Sequence, residues 1–298
     1  MELRVLRYFL AVVREENILR ASEVLHITQP SLSRQLAQLE EELGAKLFER
    51  GNRKITLTEA GVLLRRRAEE LVSLADKTER EFVEFNGGDD LTGTISIGSG
   101  ELSSVSELAK MMRAFNEQYP NVNFSFYSGN ADSIKDRIDK GLLDFGLLLE
   151  PVDIDKYDYI RMPVRDQWIV VVPLDSPLAD KQVVTPQDLA DKPLILPSRT
   201  KVIGELSNWF GSYFNSKNIF STSNLINNAA LMTEQGLGYA LAVSGSVSFY
   251  GNERVLVKNL SPALYSTSVI AWKKHQPTGA VVRKFQEFID MSIRHKNI

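Results

Sequence analysis

Residues 20–61 read RASEVLHITQPSLSRQLAQLEEELGAKLFERGNRKITLTEAG, and this stretch decides the architecture of the N-terminal part of the chain. Thr28 stands where a helix N-cap is needed, and Pro30 falls in the first turn, where its missing N–H costs nothing. Leu32, Leu36, Leu39 and Leu43 then recur at helical spacing as one apolar stripe, and Gly44 provides the stop. The other side of that helix carries Ser31, Ser33, Arg34, Gln35 and Gln38. Upstream, Leu3, Leu6, Phe9, Leu10 and Val13 predict an amphipathic helix, and Asn17 predicts the cap of a short second helix with Ala21, Val24 and Leu25 inward. Downstream, Leu47-Phe48-Glu49-Arg50 and Lys54-Ile55-Thr56-Leu57 flank Gly51-Asn52-Arg53, which reads as a small hairpin with a basic tip.

Two helices joined by the link His26-Ile27-Thr28 and followed by a basic hairpin form a winged helix-turn-helix pattern. The third helix suits a major groove about 12 Å wide, where its polar side meets base edges. Its N-terminus offers free N–H groups and partial positive charge to a phosphate. Arg53 and Lys54 suit the adjacent backbone or the narrow minor groove. Taken alone, a Ser/Gln/Arg face is also what any solvated helix presents. The ordered set Gln29-Pro30-Ser31-Leu32-Ser33, Leu39-Glu40, Leu43-Gly44, Leu47-Phe48 and Leu57-Thr58-x-x-Gly61 separates the two readings. It closely resembles the DNA-binding module of the LysR-type bacterial transcriptional regulators, with Ser22 standing where a second alanine is common.

That resemblance extends over essentially the whole chain. It implies Gln29, Pro30, Ser33 and Arg34 at the major groove and Arg53 at the wing. Arg34 is the leading base contact, since its fork can pair with guanine O6 and N7. Thr28, Ser31 and Lys54 are assigned to phosphates. His26 is either a phosphate contact or a packing residue, and Arg50 is expected to brace the wing against Glu49. Double-stranded promoter DNA and a small-molecule effector are the implied partners, a carboxylate metabolite being the effector class considered, with RNA polymerase as a further partner. A homodimer or homotetramer is implied as well.

Composition narrows the alternatives. The 298 residues suit about two domains. With no cysteine, disulfides, zinc ribbons, cysteine nucleophiles and thiol redox sensing are excluded. Three scattered histidines (His26, His275, His295) argue against a metal centre, and no cofactor is expected. Residues 1–67 carry 12 Lys/Arg and 9 Asp/Glu, while the remainder carries 23 and 29, so a mildly basic front precedes an acidic back. No signal-peptide core or membrane-length apolar run is visible, which predicts a cytoplasmic protein without membrane contact. No Gly-x-Ser-x-Gly or His-Glu-x-x-His occurs, and Asp144-Phe145-Gly146 lies inside an apolar strand run, so no catalytic residue is assigned. An enzyme or simple binding protein using a two-lobed cleft is the competing class.

Thr58 opens a proline-free helix to about Phe85 whose apolar side is Leu63, Leu64, Leu71, Leu74 and Phe82. A helix of this length needs a partner for that side. In the resembling family it is a dimerising linker helix; packing on its own domain is the alternative. Arg65-Arg66-Arg67 is read as a solvated run or a contact to flanking DNA. Gly87-Gly88-Asp89-Asp90 is the clearest linker.

The expected organisation is therefore 1–58 as the DNA-binding domain (mainly α with a β wing), 59–90 as linker helix and hinge, and 91–298 as an effector domain. Strands are predicted at 94–97, 122–126, 142–149, 168–172, 194–196, 239–243 and 268–272. Helices are predicted at 102–119, 134–140, 224–235 and 280–294. Such alternation argues for α/β units with mostly parallel sheets. The resemblance implies a periplasmic-binding-protein-like domain of two lobes, about 91–163 plus 268–298 and about 164–267. Ligands in such sheets sit beyond the strand carboxyl ends. The loops that qualify carry Ser99, Gly100 and Glu101; Ser128 and Asn130; Ser198, Arg199 and Thr200; and Ser266. Arg199 suits a carboxylate and Ser99-Gly100 an anionic group, while Glu101 suits an amine. Each of these loop residues also has an ordinary role as a turn or cap. Ser128 stands where the resembling family often has an acid.

Overall fold

The computed structural model describes residues 1–50, 54–85, 91–247, 253–276 and 278–296. The chain forms two compact units, Met1–Val83 and Glu84–Ile298. Among the described residues no helix is long and apolar enough to cross a membrane.

The first unit contains α1 (Leu3–Glu15), α2 (Ile18–Val24), α3 (Gln29–Leu43), β1 (Phe48–Arg50), β2 (Ile55–Leu57) and α4 (Glu59–Phe85). Val5, Leu6, Phe9 and Val12 form the inward stripe of α1, so Leu3, predicted inward, lies exposed instead. Ala21 of α2 and Leu32, Leu36 and Leu39 of α3 meet that stripe. Val24 and Leu43, each in the last turn of its helix, are exposed, since no apolar surface among the described residues of the unit covers them. The Asn17 side chain accepts the Arg20 N–H at 3.1 Å, and Gly44 closes α3 at φ +65°. Antiparallel pairing sets Phe48 opposite Leu57 and Arg50 opposite Ile55. The tip predicted at Gly51-Asn52-Arg53 lies outside the described residues, as does the linker Gly87-Gly88-Asp89-Asp90.

Several family motifs acquire a physical reason here. Glu40 accepts the Leu47 N–H at 2.8 Å and the Lys46 ammonium at 2.6 Å, which ties the end of α3 to the start of the wing. Thr58 donates its hydroxyl to the Lys46 carbonyl, its N–H bonds the Leu47 carbonyl, and the same hydroxyl caps the Gly61 N–H. A Cβ on Gly61 would stand 2.1 Å from the Leu47 carbonyl oxygen, so only glycine lets α4 start so close to the wing. Leu64 and Ala68 of α4 then enter the core, and Arg7 reaches Asp76 at 2.6 Å.

The second unit runs β3 (Gly93–Ser99), α5 (Ser104–Gln118), β4 (Val122–Ser128), α6 (Ala131–Asp139), β5 (Phe145–Leu149), β6 (Tyr157–Pro173), β7 (Val183–Val184), α7 (Pro186–Leu189), β8 (Leu194–Pro197), α8 (Thr200–Phe210), β9 (Ile219–Ser223), α9 (Ile226–Glu234), β10 (Tyr239–Val243), β11 (Val255–Leu260), β12 (Tyr265–Lys273) and α10 (Ala280–Lys296). One ten-stranded sheet has the order β4-β3-β5-β12-β6-β10-β8-β9, with β11 on β6 and β7 on β11. The sheet is mixed rather than mostly parallel. β3 pairs parallel with β4 and β5, β8 with β9 and β10, and β7 with β11. Every pairing of β6 or β12 is antiparallel. The physical reason is that these two long strands cross between halves: β6 pairs with β12 over 157–167 and with β10 and β11 over 168–173. Its first half, Tyr157–Arg165, lacks strict polar–apolar alternation and contains Pro163, so its strand character is not legible from the sequence pattern.

Candidate functional site

Two surfaces collect the predicted residues. On α3 the first turn contains no acid, and the Thr28 oxygen accepts the Ser31 N–H at 3.4 Å. Gln29, Pro30, Ser31 and Arg34 are exposed and Ser33 is half-buried, opposite Leu32, Leu36 and Leu39. This leaves an uncompensated positive helix end beside an exposed guanidinium, an arrangement suited to a polyanion. Lys54 is exposed, but its ammonium pairs with Glu16 at 2.5 Å. Hydrogen bonding from Lys54, then its charge, holds the Glu16 carboxyl below its ordinary range. Arg53 lies outside the described residues. Arg65 pairs with Glu69 and Arg67 with Glu70 along α4, so those two members of the basic run behave as a solvated ion-pair face.

In the second unit a cavity of about 110 Å³ opens beyond the carboxyl ends of β3, β4, β5, β8, β9 and β10. Its wall is largely apolar, built from side chains such as Leu102, Leu147, Trp168, Val202, Ile226 and Leu241. Of the nine predicted positions, Gly100, Glu101, Asn130 and Arg199 line it. The other five do not, each for a local reason. The Ser99 hydroxyl turns back onto the Gly100 carbonyl at 2.7 Å and is buried. Ser128, Ser198 and Thr200 are exposed. Ser266 sits inside β12 rather than in a turn, accepting the Trp168 indole N–H at 2.8 Å and facing Glu205 at 3.3 Å. Burial pushes the Glu205 carboxyl up, against the opposing pull of Ser266 and Arg199.

The polar groups of the wall are few. Asn130 caps α6 through the Ser133 N–H at 2.9 Å. Glu101 reaches across to the Ile226 N–H of α9 at 3.3 Å, and α9 has no side-chain cap of its own. Arg199 is 8% exposed. Its fork donates to the Leu149 carbonyl at 3.0 Å and the Pro151 carbonyl at 2.6 Å, with Asp132 3.8 Å from Nε. Burial lowers the Arg199 pKa, opposed by Asp132, Asp153 and Glu205. Two donors of the Arg199 fork thus already meet neutral carbonyls. Among the described residues no group of three or more His, Asp and Glu could hold a metal ion.

The model for bacterial regulatory helix-turn-helix proteins of the lysR family matches residues 3–62, and the LysR substrate binding domain matches 88–292. The chain belongs to the LysR family of transcriptional regulators. Among similar proteins, the Hca operon transcriptional activator HcaR of Escherichia coli K12 is 29% identical over 92% of this chain and 92% of its own. The regulator BsdA of Bacillus subtilis is 33% identical over 54% of this chain and 55% of its own. The crystal structure of full-length CbnR complexed with its target DNA shares the fold, with TM-score 0.71 at 21% identity, covering 98% of this chain and 100% of that one.

This LysR regulator is accordingly a DNA-binding transcription factor with an N-terminal winged helix-turn-helix and an α/β effector-binding domain. Its cavity contains elements that the sequence pointed to weakly. Trp168 lies mid-strand on β6, and the Ile226 N–H is a backbone group without any sequence signal. Helix α8 did carry one, since Val202, Leu206 and Phe210 are buried at spacing four.

Proposed function

We propose that this LysR regulator binds promoter DNA as a homodimer or homotetramer and is switched by a small carboxylate effector held between two lobes, about 91–163 plus 268–298 and about 164–267. In this reading Arg34 reads a base, with Gln29, Pro30 and Ser33 beside it in the major groove and Arg53 on the wing. Thr28, Ser31 and Lys54 hold phosphates. Helix α4 pairs with its counterpart, which is supported by Leu63, Leu71, Leu74 and Phe82 being exposed on a single chain. The protein acts in the cytoplasm, alongside RNA polymerase, and turns nothing over; the effector leaves unchanged.

The observation that carries the effector reading is Arg199: a guanidinium buried at the rim of an apolar cavity, fastened to neutral carbonyls, with its Nε buried and without a hydrogen-bond partner. The nearest anion, the exposed Asp132 carboxylate, stays 3.8 Å from that nitrogen and beyond hydrogen-bond reach, so the donor is left for a carboxylate that comes closer. The test is fluorescence anisotropy on the upstream duplex and on a scramble across a salt series, repeated with a panel of small carboxylates. The expected result is a clear preference for the upstream site, shifted by at least one carboxylate. In Arg199→Ala that shift disappears while basal DNA binding remains. A response unchanged in Arg199→Ala removes the residue from the site, and equal binding to both duplexes at every salt removes the operator reading.

A further inference from the structure

The cavity is apolar over most of its wall, yet it carries two ionic side chains of opposite sign. Glu101 follows β3 and Arg199 precedes α8, so the two come from opposite halves of the sheet. Among the described residues no hydrogen bond or ion pair joins them; the acid nearest to Arg199 is Asp132, 3.8 Å from its Nε. Arg199 spends two of a guanidinium's N–H donors on the Leu149 and Pro151 carbonyls, and its Nε is buried without a hydrogen-bond partner. Glu101 offers two carboxylate oxygens with room for about four hydrogen bonds. Among the described residues it accepts one, from the Ile226 N–H at 3.3 Å. Among the described residues the cavity wall contains no other Lys, Arg, His, Asp or Glu. Each pole therefore lacks a full partner, and a ligand is what can supply both.

We infer that the effector is a zwitterion of the amino-acid class: a small molecule with an apolar body, a carboxylate that meets Arg199 and a primary ammonium that meets Glu101. The inference rests on the carboxylate reading given above and adds the second charge to it. A plain carboxylate would bring a second negative charge toward Glu101 and leave that group with the Ile226 N–H alone. A plain amine would leave the Arg199 fork with the Leu149 and Pro151 carbonyls as its hydrogen-bond partners and Asp132 at 3.8 Å. A molecule carrying both groups matches each pole and fills the space between with contact to Leu102, Trp168 and Leu241. The size agrees. The cavity, about 110 Å³, is of the order of the roughly 150 Å³ cavity that takes up benzene, so it suits a small molecule. Selectivity should be pronounced, since a site built to bond a substrate N–H rejects the analogue that lacks it far more strongly than an apolar pocket rejects a missing methylene.

The experiment is isothermal titration calorimetry on the full chain with a panel of amino acids, each set beside its des-amino acid and its decarboxylated amine. Leucine, 4-methylpentanoate and 3-methylbutylamine form one such set. At least one amino acid is expected to bind about tenfold or more tightly than either of its halves. Glu101→Gln should reduce its advantage over the des-amino acid to a few-fold or less, with the des-amino acid itself bound at least as tightly as by the wild type because the repelling charge is gone, which also reports that the variant is folded. Carboxylates that bind without preference for the amine, or a preference that survives Glu101→Gln, would overturn the ammonium assignment and leave the carboxylate reading standing. An amine that binds as tightly as its amino acid, or a panel in which no carboxylate binds, would overturn both.

Discussion

Gly61→Ala is the substitution whose consequence follows most directly from the coordinates. The added methyl would lie 2.1 Å from the Leu47 carbonyl oxygen, 2.8 Å from a Leu57 methyl and 3.1 Å from the Leu47 carbonyl carbon. The first contact is about 1 Å inside an ordinary carbon–oxygen separation, and the obstacle is backbone. That carbonyl also accepts the Thr58 N–H at 3.1 Å, so it cannot withdraw without loosening the junction of wing and helix. Overpacking costs about 1–3 kcal/mol, and a backbone obstacle belongs at the upper end. Loss of the Thr58 bond adds about 1 kcal/mol, while the better helix propensity of alanine returns up to about 1 kcal/mol. The net destabilisation is then about 3 kcal/mol, confined to the Met1–Val83 unit. For a unit of that size this lowers the melting temperature by roughly 10–20 °C. Differential scanning calorimetry on the full chain measures it, with the transition of the second unit as an internal control. Gly44→Ala supplies the contrast: nothing lies within 4 Å of its Cβ, and its cost comes only from φ +65°. Asparagine, which tolerates that conformation, should recover most of the loss at position 44 and none at 61. If Gly61→Ala melts like the wild type, or if asparagine rescues both positions equally, the steric argument is wrong.

Four further outcomes are expected. Arg34→Ala should lower specific affinity by about 1–3 kcal/mol and relax base preference, whereas Lys54→Ala should weaken target and scrambled duplex alike and reduce the salt slope by about 1; equal effects of the two variants on both duplexes would refute that division. Glu16→Gln frees Lys54 from its ion pair, so affinity for any duplex should rise a few-fold at low salt, and a fall in anisotropy titrations would show that the pair positions the wing rather than competing with phosphate. Glu205 is held above the ordinary glutamate range first by burial, so its stabilising contribution is full below the unfolded value and lost as pH rises through the folded one; the melting temperature of Glu205→Gln relative to wild type should therefore climb between about pH 4 and 7, and parallel curves would remove the effect. Gly245→Ala would set a methyl 2.0 Å from the Ser103 N and 2.7 Å from an Asp166 oxygen, so the second unit should lose about 3 kcal/mol in thermal denaturation, and an unshifted transition would show that the contact yields.

How far the sequence leads depends on whether an element is defined by local or by distant neighbours. The α3 cap, the proline turn, the leucine stripe and the Gly44 stop are all local, and each of them appears as read. Leu3, Val24 and Leu43 satisfied the same periodicity but lie exposed, since burial also needs an opposing surface. The strand-end rule located the cavity correctly in the fold, because helix N-termini and loops of a parallel sheet converge there. It could not choose among loop side chains. Gly100, Glu101, Asn130 and Arg199 face the cavity, while the Ser99 hydroxyl bonds its own neighbour and Ser128, Ser198 and Thr200 point to solvent. Ser266 was placed in a turn because its register inside β12 is set by pairing with Asp166 of β6, a hundred residues upstream.

In the proposed mechanism the same long-range pairing sets how the effector domain switches. Two kinds of contact tie the halves of the sheet together. Asp166 sits on the crossing strand β6, 1% exposed, and accepts the Ser103 N–H and hydroxyl at 3.0 and 2.7 Å and the Gly245 N–H at 3.0 Å. It lies beside the crossover itself, and both of its oxygens accept hydrogen bonds. At the cavity the ties are weaker: Arg199 to two carbonyls, Glu101 to one N–H, and Lys201 to Asp153 on the exposed rim. A ligand shifts an equilibrium only by its differential affinity for the two states. Contacts already saturated, as at Asp166, leave nothing to gain. Contacts in which a buried charge meets a neutral partner leave a great deal, because an ionic ligand group improves them only when both halves are in place. In the proposed mechanism the pivot is therefore built from satisfied groups and the sensor from unsatisfied ones, and mutations at the two should separate: Asp166→Asn should lower stability with or without ligand, while Glu101→Gln should lower only the stabilisation that ligand adds.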